Sequence, residues 1–289
     1  MSHRIVFPRQ IEITSCDKIL ATCSEKLQIL NQEILLDLSN TVFIRPFGVT
    51  YLSCLAHRLY ELGNKIKFRP PTNSKTKKYL IDIKFYNIFQ MQDNIGPNPR
   101  ETSIEIRRLD PHYIDYSYIE SLIAWLSTTI SMSEALKAEM RNIILEMITN
   151  SQDHSNCQFG CYVCAQIYPQ RKEIELSIMD FGVGIPANLR PIYAHLQNDA
   201  EAVEYSLESG ISSRSGMGAK GTGLNILKSF ISSNKGSLDI YSYGGIYRLN
   251  KSKGQQQLSR HIFPGTSICI KMRIDDQYYM LSDEVEEYF

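Results

Sequence analysis

The sequence predicts an α/β protein built from two units, and three observations carry that expectation. The first hundred residues alternate short strand-like and helix-like stretches, the segment QDNIGPNPRE (92–101) is rich in turn formers, and the remainder sets a long helix ahead of a group of strands. At 289 residues with 43% apolar content, the chain holds enough apolar surface for two ordinary cores. The expected division is a first unit over 1–95, a linker and strand over 96–114, a second unit over 115–275 and an acidic tail over 276–289.

Within the first unit, IEIT (11–14) reads as a strand leading to a helix over about 17–30, and ILLDLS (34–39) with TVFI (41–44) reads as a strand region. Residues 47–62 have helical period and are closed by Gly63 and Asn64, after which KIKF (65–68) is strand-like. A polar break, PPTNSKTKK, precedes a helix over about 79–90, and a mixed sheet is expected. In the second unit TSIEIRRL reads as a strand and 115–130 as a helix bearing the only tryptophan, Trp125. Ser131 with Glu134 three residues later has the capping-box pattern and opens a long helix running to about His154. Strand signals recur at CYVCAQIY, IELSIMDF, SLDIYSY and TSICIKMRI, while the acidic, aromatic tail reads as a terminal helix or, alternatively, a segment that docks on a partner.

Lysine plus arginine equals aspartate plus glutamate at 31 each, so no overall field recruits nucleic acid or an anionic membrane. No run of about 18 apolar residues occurs, and MSHRIVFPRQ lacks the apolar core of a signal peptide, so a cytoplasmic protein is expected. Seven cysteines, an odd number without paired spacing, suit reduced thiols. Cys157, Cys161 and Cys164 after His154 invite a zinc reading. However, 160–168 alternates like a strand, which sends Cys161 and Cys164 to opposite faces, away from a shared tetrahedral ion.

The stretch EMITNSQDHS, near the end of the long helix, crowds polar groups beside an apolar stripe of Leu136, Met140, Ile143, Ile144 and Met147. Glu146, Asn150, Asp153 and His154 share one sector of that helix. A solvated face would explain them, but three glycine-bearing segments follow. SIMDFGVGIP runs an apolar strand into Asp180, then Gly182, Gly184 and Ile185. SGISSRSGMGAKGTGLNILKSF carries Arg214 and Lys220 and ends where Gly221-Thr222-Gly223 and Leu224 open a helix, the usual setting for phosphates. PGTSICIKM places Gly265 and Thr266 at the start of a strand.

Familiar glycine motifs fit poorly. Gly216, Gly218 and Gly221 spell G-x-G-x-x-G, with Asp239 placed 18 residues on, but the dinucleotide fingerprint needs a buried strand before it and LESGISSRS is polar. Asp180-Phe181-Gly182 has no HRD, VAIK or APE companion, and Lys220 precedes its glycine instead of following it, so neither a protein kinase nor a Walker A loop is spelled.

Taken in order, Glu146 to Asn150, DFGVGIP, GTGL and PGT resemble the nucleotide-binding domain shared by gyrase, the ninety-kilodalton heat-shock chaperones, histidine kinases and mismatch-repair ATPases, the GHKL superfamily, over about 115–275. That resemblance implies a Bergerat-type two-layer α/β sandwich binding ATP and Mg²⁺. It assigns Asn150 to the metal, a choice suited to an ion that takes few protein ligands, with Asp153 near metal-bound water. Asp180 would accept from the adenine amino group with Thr266 near the same base, and Gly182, Gly184 and Ile185 would shape the turn. Lys220, Gly221, Thr222, Gly223 and Leu224 would meet the phosphates, and 209–219 would form a lid. Glu146 would orient and deprotonate the attacking oxygen.

Histidine kinases need no such glutamate, and none of the six histidines is followed by an acidic residue in the manner of a phosphoacceptor box. The set Glu146, Asn150 and His154 is most similar to the anti-sigma-factor serine kinases. The expected activity is an ATPase or serine/threonine kinase in a bacterial regulatory or defence system, with a protein partner or phosphoacceptor. The alternative is a non-hydrolysing ATP-dependent switch that controls dimerisation or partner release. The stretch ILLDLSNTVFIRPFGVTYL resembles the strand-turn-helix of the anti-sigma-factor antagonist, or STAS-like, domain that such kinases phosphorylate. Yet Arg45-Pro46-Phe47-Gly48 places Phe47 where the acceptor serine would stand, and Thr50 is a poor substitute, which implies a scaffold or partner surface.

Overall fold

A computed structural model of the chain describes residues 2–89, 99–110, 112–153, 159–211 and 223–281, with the side chains of 2 and 146–153 outside that description. The architecture is mixed α/β in four layers: a small parallel sheet, a pair of helices, a larger antiparallel sheet and a second group of helices.

The small sheet has the order β1 (Ser2–Val6), β3 (Glu33–Asp37), β5 (Lys65–Arg69), with both pairings parallel. A mixed sheet was the expectation; helical crossovers between successive strands make all three run one way. Two short strands, β2 (Gln10–Ile11) and β4 (Phe43–Ile44), form a parallel pair at its margin. Helix α1 (Cys16–Cys23) is shorter than the period suggested, because the chain tightens into a 3-10 turn at Ser24–Gln28. Helix α2 (Pro46–Glu61) starts with proline at its first position, where the missing N–H costs nothing. It buries 12 of its 16 residues, as expected of a helix apolar nearly all round. Helix α3 (Ser74–Asp82) begins earlier than expected, since Asn73 Oδ1 accepts from Thr76 N at 3.0 Å, and it stops before Lys84, whose φ of 60° is left-handed.

The larger sheet has the order β10, β11, β9, β8, β6, where β6 is Arg107–Leu109, β8 Cys161–Tyr168, β9 Glu173–Asp180, β10 Ser237–Asn250 and β11 Lys253–Arg273. All its pairings are antiparallel. Its residues alternate between two cores. Cys161, Val163, Ile174, Leu176 and Ile178 face α4 (Tyr116–Ser127), α5 (Glu134–Asp153) and α8 (Gly223–Ser233), whereas Tyr162, Cys164 and Met179 face α1 and α2. Cys161 and Cys164 thus lie on opposite faces, as the alternation predicted. The six described cysteines are all buried thiols.

The sequence signals gave only the inner halves of β10 and β11. Fully extended, β10 would hold Gly236 and Lys251 about 50 Å apart, yet Lys251 N donates to Gly236 O at 2.8 Å. The strand therefore doubles back near Tyr243, whose φ is 54°, between two register shifts. The outer part of β11 pairs with 245–250 as a further strand, and its inner part, from Thr266, inserts between 237–242 and β9. Two short helices, α6 (Gly184–Leu189) and α7 (Asp199–Tyr205), pack on this hairpin.

The start of α5 also departs from the capping-box pattern at Ser131. Leu136 N donates to Ser133 Oγ at 3.0 Å, so Ser133 is the cap. Ser131 instead belongs to β7 (Ser131–Met132), which pairs in parallel with β12 (Tyr278–Tyr279) and draws the chain beyond the sheet onto the α5 side. No described helix is long and apolar enough to cross a membrane.

Candidate functional site

Asp180 is the last residue of β9, opposite Thr266 in the ladder with β11. Gly182 N donates to its Oδ1 at 2.8 Å, and the Thr266 N–H also donates to the carboxyl. Burial nevertheless pushes that carboxyl up to about 6, against the pull of both backbone donors. An ionised carboxylate has about four lone-pair sites, so two backbone donors leave Asp180 able to accept again.

Two glycines make this corner possible. Gly265 has a φ of +102°, and a Cβ there would lie 2.3 Å from Asp180 O and 2.5 Å from Gly182 N. The backbone of the second turn therefore runs directly against the first. Gly184 has a φ of +80°, and its Cβ would lie 2.7 Å from Ser242 Oγ. The room beside Gly184 is thus taken by the protein itself.

Ser242 is a site residue that the sequence did not reveal. It is fully buried on β10, and its hydroxyl donates to Gly265 O at 3.1 Å, accepts from Ile185 N at 2.8 Å and lies 2.9 Å from Thr266 Oγ1. One side chain therefore ties the start of α6 to the Gly265-Thr266 turn. Between two tyrosines on a strand it offers neither a glycine nor a charge to read, and only the fold brings it to the corner.

Those of the remaining predicted residues whose backbone is described lie on two helices over the same sheet face. Leu136, Met140, Ile143 and Ile144 anchor α5 in the core, and the backbone of Glu146, Asn150 and Asp153 forms its last two turns. The side chains of those three lie outside the described residues, as do all of His154, Cys157, Lys220, Gly221 and Thr222. Gly223 opens α8 and is buried, and half-buried Leu224 packs in the core shared with α5. Asn225 Nδ2 donates to Leu207 O at 3.0 Å, fixing the first turn of α8 to the segment after α7. The structure accordingly gathers Asp180, Gly182, Gly184, Ile185 and Thr266 at one corner, and lays α5 against α8.

Behind the corner lies α2. Thr50 Oγ1 is 2.8 Å from Ser177 Oγ, the Cys54 thiol reaches Met179 O at 3.4 Å, and His57 Nδ1 is 2.8 Å from the Tyr162 hydroxyl. Spaced four and three apart, these side chains bond one face of α2 to β8 and β9. Arg45, at the helix N-cap and 2% exposed, pairs with Glu175 and with Glu173 Oε1 at 3.1 Å, and its guanidinium lies 4.6 Å from the Tyr168 ring centre. Burial opposes its charge, but the Glu175 carboxylate prevails and raises the Arg45 pKa. Phe47 and Thr50 are both fully buried, so the surface of this turn and helix is already taken by the chain's own sheet. Comparison with family models and with curated proteins returns no match to this chain.

Proposed function

We propose that residues 115–275 form an ATP- and Mg²⁺-binding domain of the GHKL type, a two-layer sandwich acting as an ATPase or serine/threonine kinase. The observation that carries this reading is the Asp180 corner. A strand-end carboxylate with spare acceptor capacity is framed by two glycine turns, with Thr266 beside it, on a sheet backed by α5 and α8. That acceptor suits the amino edge of adenine, because the corner presents a charged oxygen whose backbone partners are fixed in advance.

In this reading Asp180 accepts from the adenine amino group, and Ser242 holds Thr266 and Ile185 in place around it. Bound Mg²⁺ would neutralise charge on the phosphates, with Asn150 as its protein ligand and Asp153 beside it. Glu146, one turn before Asn150 on α5, takes the proton of the attacking hydroxyl or water. Lys220 and Gly221 to Leu224 meet the phosphates where α8 starts.

The first unit, read as STAS-like, offers no acceptor at the turn where that family carries one: Phe47 has no hydroxyl, and the Thr50 hydroxyl is buried between Pro46 O, Phe47 O and Ser177 Oγ. With that turn blocked, water or a protein hydroxyl elsewhere is the acceptor in this reading. Incubation with γ-labelled ATP and Mg²⁺, followed for phosphate release and for transfer to added protein, tests the activity. Absence of any Mg²⁺-dependent ATP binding overturns the class.

A further inference from the structure

The two turns that meet at Asp180 share a second feature on the opposite side of the sheet. Each sends one phenylalanine backwards, Phe181 from the first turn and Phe263 from the stretch leading to Gly265. The Phe181 and Phe263 rings meet edge to face with centroids 6.0 Å apart. Both also meet one ring of the first unit, Tyr51 on α2, edge to face at 5.6 and 6.1 Å. Tyr51 is fully buried and stacks on Phe47 at 6.0 Å, so its own position is fixed by the core of the first unit. Apart from the Cys23 thiol beside it, its hydroxyl has no partner among the described residues. The ring, and not the hydroxyl, makes the contact.

Consecutive residues of an extended chain point to opposite faces, so the Phe181 ring and the Asp180 carboxylate are the two ends of one lever. On the other turn, Phe263 stands three residues before Thr266 and is held by the same tyrosine. Close-packed interiors transmit displacement instead of absorbing it, and edge-to-face aromatic pairs have a preferred geometry. A change at Tyr51 therefore moves both turns together.

We propose that Tyr51 is a positioning residue for base recognition: through Phe181 and Phe263, the helix of the first unit sets where Asp180 and Thr266 stand in the nucleotide site. The inference rests on the ATP-binding reading above. It makes the first unit an integral part of the site, and by linkage nucleotide binding should in turn tighten α2.

The test uses the full-length chain and two nucleotides, ATP and inosine triphosphate, whose base carries a carbonyl in place of the amino group. Calorimetric affinities are measured with Mg²⁺ for wild type, Tyr51→Phe and Tyr51→Leu. Wild type and Tyr51→Phe should prefer ATP by tenfold or more. Tyr51→Leu should lose most of that preference while its affinity for inosine triphosphate stays within about threefold, since the phosphate contacts lie elsewhere. A merely structural tyrosine would weaken both nucleotides alike. Retained preference in folded Tyr51→Leu overturns the inference. Where Tyr51→Leu does not fold, Phe181→Leu carries the same expectation, and retained preference there overturns the inference equally. If wild type binds neither nucleotide, the ATP reading fails and the inference falls with it, whereas binding without altered preference in the variants rejects the inference alone.

Discussion

Arg45 and Glu175 pair across 130 residues of sequence with both side chains out of water. The pair joins the N-cap of α2 to the middle of β9, the strand that ends in Asp180. Glu173 and, at 3.3 Å, Glu12 surround the same guanidinium. Removing one partner of a buried pair leaves an uncompensated charge and costs about 3–5 kcal/mol, whereas replacing both by apolar groups is often near neutral. Arg45→Met should therefore lower the urea unfolding free energy by about that amount, and Arg45→Met with Glu175→Leu should regain at least half of the loss. A single variant within about 1 kcal/mol of wild type would show that the pair does not anchor α2.

Asp180 predicts opposite responses in stability and in binding. Its carboxyl is raised from 3.8 to about 6, so between those values the folded chain holds a proton that the unfolded chain has released. The stability this contributes below about pH 4 is lost as pH rises through 6. At pH 8, Asp180→Asn should be the more stable protein, by up to about 3 kcal/mol, and the advantage should vanish near pH 4. Binding runs the other way. The adenine amino group needs the ionised carboxylate, so ATP affinity should fall as pH drops below 6, and Asp180→Asn should bind about 10- to 150-fold more weakly. Thermal melts across pH 4–8, with titrations at pH 5.5 and 7.5, check both arms. A variant no more stable than wild type at pH 8 would contradict the first.

How far the sequence spoke depended on the kind of signal. Period and glycine spacing located β8, β9, α4, α5 and the turns at Asp180 and Gly265, because apolar alternation and obligatory glycines are local properties. The doubling back of β10 was not legible, since GGIYRL looks like any half-buried strand and only the Lys251 to Gly236 bond shows the reversal. Ser242 escaped for the same reason. The role of Arg45 was hidden because its carboxylate partners lie in the other half of the chain, and Phe47 drew notice only as a missing serine. What was invisible was long-range pairing, which no periodicity encodes.

Gly265 allows strain and overlap to be separated. Its left-handed φ alone would cost a substituted residue about 1–3 kcal/mol, and its Cβ would overlap the backbone of Asp180 and Gly182, which cannot rotate away. Gly210 has a φ of +80° with nothing within 4 Å of where a Cβ would stand, so it bears the strain without the overlap. Gly265→Ala should therefore destabilise clearly more than Gly210→Ala and should abolish ATP binding, while Gly210→Ala should leave the Asp180 corner intact. Equal losses in urea titrations of the two variants would remove the close approach from the account.

His57 supplies a pH test of the α2 contact that is independent of any nucleotide. Its ring bonds the Tyr162 hydroxyl and stacks on Phe159 at 4.7 Å, and burial, aided by Arg108, pushes its pKa from 6.5 down to about 4. Between those values the unfolded chain takes up a proton that the folded chain refuses, so stability from this group falls as pH drops from about 6.5 towards 4 and levels off below. Glutamine keeps a hydrogen-bonding group there without a titration. The difference in melting temperature between wild type and His57→Gln should thus shrink, or reverse, as pH falls from 7 to 4.5, while Asp180 and every other group titrate alike in both and cancel. A difference that stays constant across that range would mean that His57 is open to water and does not seal α2 against β8.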